Sequence, residues 1–412
     1  LHILFLSDNF PPEVNAPASR TFEHCREWVK SGHRVTVITC APNFPTGKVL
    51  SPYRNRPWQR ETMAGIDVIR VWSYITANEG IVKRSLDYMS YMLGAILAAP
   101  FVRRPDIVVA TSPQFFTACA GYVVSRFKRR PFVFELRDLW PESIRAVGAM
   151  GESRVLDWLE RLELFLYRKA DAVVAVTHAF RENLMARGID AAKIFVVTNG
   201  ADLARFAPVK KDEELVARYG FAGKFVAGYV GTHGMAHSLE TVLDAAAALR
   251  DRPEGKDIRF VLLGDGAAKK DLQADAKARS LTNVIFIDTV SKDQVARYWS
   301  LLDASIIHLK KTELFTTVIP SKLFECMAMG IPVLHGVAGE SADIVRRENV
   351  GIVFEPQNVQ SLVDGILLLA GNTAMREAFA ARAREAAMRY DRTVLAGDML
   401  AILERVREAS RR

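Results

Sequence analysis

Short runs of β-branched and other apolar residues recur along most of this chain, separated by longer amphipathic stretches. That rhythm fits a parallel sheet covered by helices. In the first half the runs are Ile3–Leu6, Arg34–Thr39, Asp67–Val71, Ile107–Ala110, Phe132–Leu136, Ala172–Val176 and Ile194–Val197, with helical segments such as Ser19–Lys30 and Val155–Arg168 between them. A doubly wound α/β sheet is expected. After Asn199-Gly200-Ala201-Asp202 the chain turns polar, and a second series starts at Phe225–Tyr229, Arg259–Leu263, Val284–Ile287, Ala304–Ile307, Pro332–His335 and Gly351–Phe354. A chain of 412 residues also exceeds what one core usually supports.

The expectation is therefore two Rossmann-like domains, residues 1–200 and 201–389. A last helical run, Val394 to Arg411, lies beyond the final strand, so residues from about 390 to 412 are expected to pack back on the first domain. In open sheets of this kind ligands bind beyond the carboxyl ends of the strands, and two sheets facing each other would form a deep interdomain cleft.

Composition narrows the function classes. Half of the residues are hydrophobic and 25% charged, as in ordinary globular proteins. The net charge of +8 and pI near 9.3 favour an anionic partner: nucleic acid, a lipid headgroup surface or a phosphorylated substrate. Cys25, Cys40, Cys119 and Cys326 are scattered without metal-binding spacing, so a reducing compartment and no structural metal are expected. The opening Leu1-His2-Ile3-Leu4-Phe5-Leu6 reads as a buried first strand and not as a signal peptide, so the protein is expected to stay inside the cell. The longest apolar stretch, Met92 to Val102, is interrupted by Pro100 and falls short of the ~20 residues of a spanning helix. The first loop, Asp8 to Pro17, has no Gly, which argues against the glycine-rich pyrophosphate turn of NAD and FAD sites.

The most informative stretch follows the strand Ala304–Ile307 and runs from Leu309 to Val333, through Thr317-Val318-Ile319-Pro320-Ser321-Lys322-Leu323-Phe324-Glu325. A loop entering a helix offers unpaired N–H groups and the positive end of the helix dipole, which suits a diphosphate. Lys322 adds a point charge, and Glu325, one turn on, can accept from two ribose hydroxyls. The plain alternative is an exposed Lys–Glu pair at i,i+3. An acid flanked by Phe324 and Met327 in a mostly apolar helix favours the functional reading.

This stretch resembles the donor-binding signature of glycosyltransferase family 4, in the branch of bacterial O-antigen enzymes that includes N-acetyl-L-fucosaminyltransferases. Three further segments match the same branch: Arg137-Asp138-Leu139-Trp140-Pro141-Glu142-Ser143, Thr198-Asn199-Gly200-Ala201-Asp202 with Phe206-Ala207-Pro208, and Gly228-Tyr229-Val230-Gly231-Thr232-His233-Gly234. The resemblance implies the GT-B fold, retention of anomeric configuration, no metal or other cofactor, and a nucleotide-sugar donor, UDP-linked by expectation. It also implies a polyprenyl-diphosphate-linked or saccharide acceptor and no nucleic acid. By the same resemblance Asp138, Lys322 and Glu325 are the candidate catalytic residues. The donor would be met by Asn15, Arg137, Gly231, His233, Gly264, Asp265, Thr317, Val318, Ile319, Ser321 and Leu323, together with Lys322 and Glu325.

Two departures from the family pattern bear on the donor. The family usually places a Glu where this chain has Thr317, which offers fewer acceptor sites and no charge, and a deoxy or N-acetylated donor sugar is the reading drawn from it. Many relatives place Arg and Lys in the loop that here holds Thr232, His233 and His237. Either His meets phosphate or both are surface loop residues. On the first domain Asp138 could orient or deprotonate an acceptor hydroxyl, or pair structurally with Arg137. Finally, Tyr88 to Val102 lies between Lys83-Arg84 and Arg103-Arg104, and Arg126, Lys128, Arg129 and Arg130 follow. That combination suits an interfacial element on the anionic inner leaflet, or a buried helix with charged ends. A nucleotide-sugar 2-epimerase and a non-enzymatic basic membrane- or nucleic-acid-binding protein are the rival classes.

Overall fold

The computed structural model describes residues 1–44, 46–76, 81–139, 154–291 and 293–411. The chain divides into two compact units, Leu1–Thr198 with Arg392–Arg412, and Asn199–Asp391. Each carries one twisted sheet with helices on both faces, the doubly wound architecture.

In the first unit the strands are β1 (His2–Leu6), β2 (Arg34–Cys40), β3 (Trp58–Met63), β4 (Ile66–Val71), β5 (Ile107–Thr111), β6 (Phe132–Leu136), β7 (Ala172–Ala175) and β8 (Ile194–Val196), in the order β3-β4-β2-β1-β5-β6-β7-β8. The chain starts in the middle at β1, winds outward on one side, and resumes at β5 on the other. The loops after β1 and β5 therefore part at a topological switch point. Side chains alternate along β1. Leu4 and Leu6 pack under the helices 81–98, 115–128 and 154–169, whereas Ile3 and Phe5 share the opposite core with Cys25 and Trp28 of the helix Ala16–Lys30 and with Leu395, Ala396, Met399 and Leu403 of the C-terminal helix Arg392–Ala409. That second pair of helices is pinned by Trp28, whose indole N–H donates to the Ala396 carbonyl at 2.8 Å, and by an ion pair between Arg392 and Glu23.

One strand is not foreseen by the apolar runs. β3 is antiparallel to β4, and its residues alternate between exposed and half-buried. It reads as polar because it is an edge strand. The legible signal is the turn Ala64-Gly65, both at positive φ (51° and 80°), the geometry of a two-residue hairpin.

The second unit has only parallel strands: β9 (Phe225–Val230), β10 (Ile258–Leu263), β11 (Val284–Ile287), β12 (Ala304–His308), β13 (Val333–Gly336) and β14 (Gly351–Val353), in the order β11-β10-β9-β12-β13-β14. Its switch point lies between β9 and β12. One face is covered by the helices Glu240–Arg250, Lys269–Ala278 and Val359–Gly371, the other by Lys322–Met329 and Thr373–Ala387.

The first core holds the buried pair Arg20–Glu135, N–O 2.9 Å, on the Ala16–Lys30 helix and β6. Arg20 also donates to the carbonyls of Val197 and Thr198 at 2.9 and 2.7 Å. Burial alone would raise the Glu135 carboxyl, but Arg20 and Arg137 outweigh it and hold the group below the usual carboxylate range. Replacing Arg20→Met leaves that carboxylate buried with less compensation, and denaturant unfolding should show a loss of about 3–5 kcal/mol, much of it restored in the double variant with Glu135→Leu.

Candidate functional site

At the switch point of the second sheet, the chain leaves β9 through residues 231–238 and β12 through residues 309–321. Gly231 and Gly264 stand at the ends of β9 and β10 with φ of 141° and 142°. Their backbones touch: a Cβ on Gly264 would fall 1.9 Å from the Gly231 carbonyl oxygen. Only glycine fits there. The loops are then stitched together, since Lys310 N–H donates to the Ala236 carbonyl at 2.9 Å and His308, the last residue of β12, donates from Nδ1 to the His237 carbonyl at 2.8 Å. The other His308 nitrogen accepts from the Gln357 N–H at 2.8 Å, so the ring is the neutral Nδ1–H tautomer. Burial lowers its pKa in the same direction. His308 is missing from the sequence-based site because its ring ties loops together and carries no motif of its own.

Lys322 opens the helix Lys322–Met329, which starts without a side-chain N-cap and carries Glu325 in its first turn. The Lys322 ammonium is buried, sits 3.6 Å from the centroid of the Tyr229 ring, and has no hydrogen-bond partner among the described residues. It rests against Gly231, where a Cβ would come within 2.8 Å of Nζ. Tyr229 is itself held by donating to the Thr232 carbonyl at 2.8 Å. Burial pushes the Lys322 pKa down to about 7, against smaller upward contributions from Cys326 and Glu325. The exposed Lys–Glu pair of the plain alternative is thus not what forms. A cation–π contact compensates part of the desolvation, and an anionic ligand would supply the missing hydrogen-bond acceptors.

His233 lies beside it. Its side chain is fully buried, and neither ring nitrogen has a partner among the described residues. Burial, then Lys269 and Lys322, lower its pKa to about 4. His237 is half-buried and lowered to about 4 by burial and Lys322. The surface-loop alternative fails for His233, and at neutral pH each ring is an uncharged donor–acceptor. Gly264 belongs to this cluster, while the Asp265 side chain is exposed and accepts from Gly266 N–H at 2.8 Å.

The loop after β12 places the remaining candidates unevenly. Thr317 ends the short 3₁₀ turn Leu314–Thr317 and its hydroxyl donates back to the Leu314 carbonyl at 2.7 Å. Val318, Ser321 and Glu325 are half-buried. The side chains of Ile319 and Leu323 are buried in the core of the second unit, Leu323 completely, so they do not line the loop's outer surface. The Leu323 N–H is also taken by the Pro320 carbonyl at 3.0 Å.

In the first unit, Asn15 caps the helix Ala16–Lys30 by accepting from Ala18 N–H at 2.9 Å, and donates to Asn9 at 2.7 Å. Arg137 and Asp138 follow β6, and both N–H groups reach the Ser112 hydroxyl after β5, at 2.7 and 3.3 Å. The Arg137 guanidinium donates to the Pro17 carbonyl at 3.1 Å, and burial lowers its pKa to about 10. Trp140, Pro141, Glu142 and Ser143 lie outside the described residues. The sequence reading also passes over Asp8, whose carboxyl accepts from Gln114 across the β1–β5 switch point and is raised well above its usual range by burial.

Two family matches decide the class. Residues 15–200 match the family described as "Glycosyl transferase 4-like domain", and residues 211–386 the one described as "Glycosyl transferases group 1". The chain belongs to the GT-B glycosyltransferases. Among its relatives, an Escherichia coli K12 glycosyl transferase named for colanic acid biosynthesis is 25% identical, over 92% of this chain and 95% of that protein. The GDP-mannose-dependent alpha-mannosyltransferase of Mycobacterium tuberculosis is 24% identical, over 99% and 97%. In fold this glycosyltransferase is similar to sucrose-phosphate synthase of Thermosynechococcus elongatus (TM-score 0.78, 16% identity, 99% of each chain). It is also similar to Anabaena HepE, solved with UDP and glucose (TM-score 0.72, 19% identity, 98% of this chain and 99% of that one).

With an ammonium whose pKa is about 7 in the free protein, a diphosphate anion should draw a proton onto Lys322. Calorimetric titration with UDP or GDP in buffers of different ionisation enthalpy should show uptake approaching one proton at pH 8 and much less at pH 6, where the amine is already charged. Uptake should vanish in Lys322→Met.

Proposed function

We propose that this glycosyltransferase is a retaining, metal-independent enzyme that takes a sugar from a UDP-linked donor, deoxy or N-acetylated in the manner of N-acetylfucosamine. The acceptor is a polyprenyl-diphosphate-linked or saccharide chain of a cell-surface polysaccharide such as O-antigen, and the enzyme works at the inner face of the plasma membrane. The observation that carries the donor half of this reading is the buried Lys322 ammonium without an oxygen partner at an uncapped helix start. That is the arrangement a departing nucleoside diphosphate requires.

In transfer, the bond between the anomeric carbon and the diphosphate oxygen breaks with its electron pair going to the diphosphate, the acceptor oxygen bonds to that carbon, and the acceptor hydroxyl proton passes to an oxygen of the departing diphosphate. Charge grows on the leaving diphosphate. Lys322 and the amides of the loop before it stabilise that charge, which is the main catalytic contribution. Neutral His233 serves as a hydrogen-bond donor close by. Glu325 anchors the ribose, Thr317 and Arg137 meet the donor sugar, and Asp138 orients the acceptor hydroxyl. Thr317, with its hydroxyl directed to Leu314, leaves this position without the charge of the usual Glu, which supports a donor sugar poorer in free hydroxyls. The relatives named above point to two nucleotides, GDP in the mannosyltransferase and UDP in HepE.

A panel of UDP- and GDP-sugars offered with a lipid-linked acceptor tests the reading. Lys322→Ala and Glu325→Ala should each lower kcat/KM by about a hundredfold or more while the fold persists, and Thr317→Glu should move donor preference toward an unmodified hexose. Interconversion of two nucleotide sugars without any acceptor would assign the chain to the epimerase class instead.

A further inference from the structure

Three helices of the first unit, 81–98, 115–128 and 154–169, cover one face of its sheet, and their outer side is not that of an ordinary surface helix. On the first, Leu86, Met89, Leu93 and Leu97 fall at three- and four-residue spacing on one exposed stripe, continued by Phe101. Leu97 is 72% and Phe101 75% exposed. The neighbouring helix presents Val123 and Phe127, the third Trp158 and Phe165, with Phe165 edge-on to Tyr122 of the second helix. Trp58 of β3 packs edge-on against Phe101 and extends the surface. A contiguous apolar face of this kind marks an interaction site.

Charge identifies the occupant. Segments 81–104, 115–130 and 154–169 hold 12 of the 55 Lys and Arg but only 4 of the 47 Asp and Glu. That excess of eight equals the net charge of the entire chain, so everything else sums to zero. The placement is as directed as the count. Each of the three helices precedes a parallel strand, β5, β6 or β7, and so runs against the strands, which puts all three carboxyl ends at the amino edge of the sheet. Arg103 and Arg104, Arg126 and Arg129, and Arg168 and Lys169 line up there as an exposed basic border. Among the described residues no helix is long and apolar enough to cross a membrane.

We propose that this face docks flat on an anionic lipid bilayer, with Leu93, Leu97, Phe101 and Phe127 entering the headgroup–acyl boundary and the arginine border holding the headgroups. A second copy of the chain does not suit it, since pairing the face with itself would bring together two surfaces that each carry the whole positive excess of the chain. The docking gives the membrane position in the proposed function a specific surface, and it uses no residue of the Lys322 site.

The test is flotation of the full chain with vesicles of phosphatidylcholine alone or mixed equally with phosphatidylglycerol. Binding is expected to the mixed vesicles only, to weaken in high salt, and to fall about tenfold or more in Leu97→Glu with Phe101→Glu and in the quadruple Gln variant of Arg103, Arg104, Arg126 and Arg129. Both variants should melt like the parent and keep nucleoside diphosphate binding by calorimetry, which separates failure of the docking from failure of the glycosyl-transfer reading. No flotation at low salt, or flotation indifferent to both variants, overturns the proposal. So does a concentration-dependent dimer that Leu97→Glu abolishes while vesicles are ignored.

Discussion

The close approach of Gly231 to Gly264 sets everything at the carboxyl edge of the second sheet. Two neighbouring strands end with their backbones in contact, at φ values that a side chain would strain. The loops leaving them lie low as a result, and the space above Gly231 admits the tip of a long side chain from the far side of the switch point. Lys322 takes it. A side chain on Gly231 would displace the ammonium from the Tyr229 ring, and one on Gly264 would drive the two strand ends apart.

The electrostatics of the two units follow different logics. In the first, Arg20 and Glu135 neutralise one another in a dry core, and the carbonyls of Val197 and Thr198 complete the guanidinium's shell. Such a group is structural. In the second, the Lys322 ammonium is also buried, but it lies against the Tyr229 ring without a hydrogen-bond partner among the described residues. Burying a cation so incompletely costs stability, and proteins retain such costs where a ligand recovers them. The positive excess of the chain is elsewhere again, on one outer face of the first unit, so the cation of the proposed donor site and those of the proposed docking face are separate sets.

Much of the fold was legible because parallel strands buried on both faces read as continuous apolar runs. β1, β2 and β5 to β7 could be read almost residue by residue, and the strands of the second unit likewise. β3 could not, since an edge strand with Arg60 and Glu61 facing charged partners looks like a loop until its turn is considered. At the site, Gly231, Gly264 and His233 stood out as residues just past strand ends, and Lys322 as the start of the helix that the loop after β12 enters. What spacing could not reveal was depth: the same rule that selected Lys322 also selected Leu323, whose side chain points into the core. His308 and Asp8 were passed over because their partners, Gln357 and Gln114, are distant in sequence and close only once the sheets are wound.

A crystal structure with UDP or GDP bound would show whether Lys322 receives the diphosphate. The terminal phosphate should lie within hydrogen-bond distance of Lys322 Nζ and of the loop amides before the helix Lys322–Met329, with the ammonium drawn off the Tyr229 ring. A diphosphate bound away from the β9–β12 switch point, with Lys322 still seated on that ring, would contradict it.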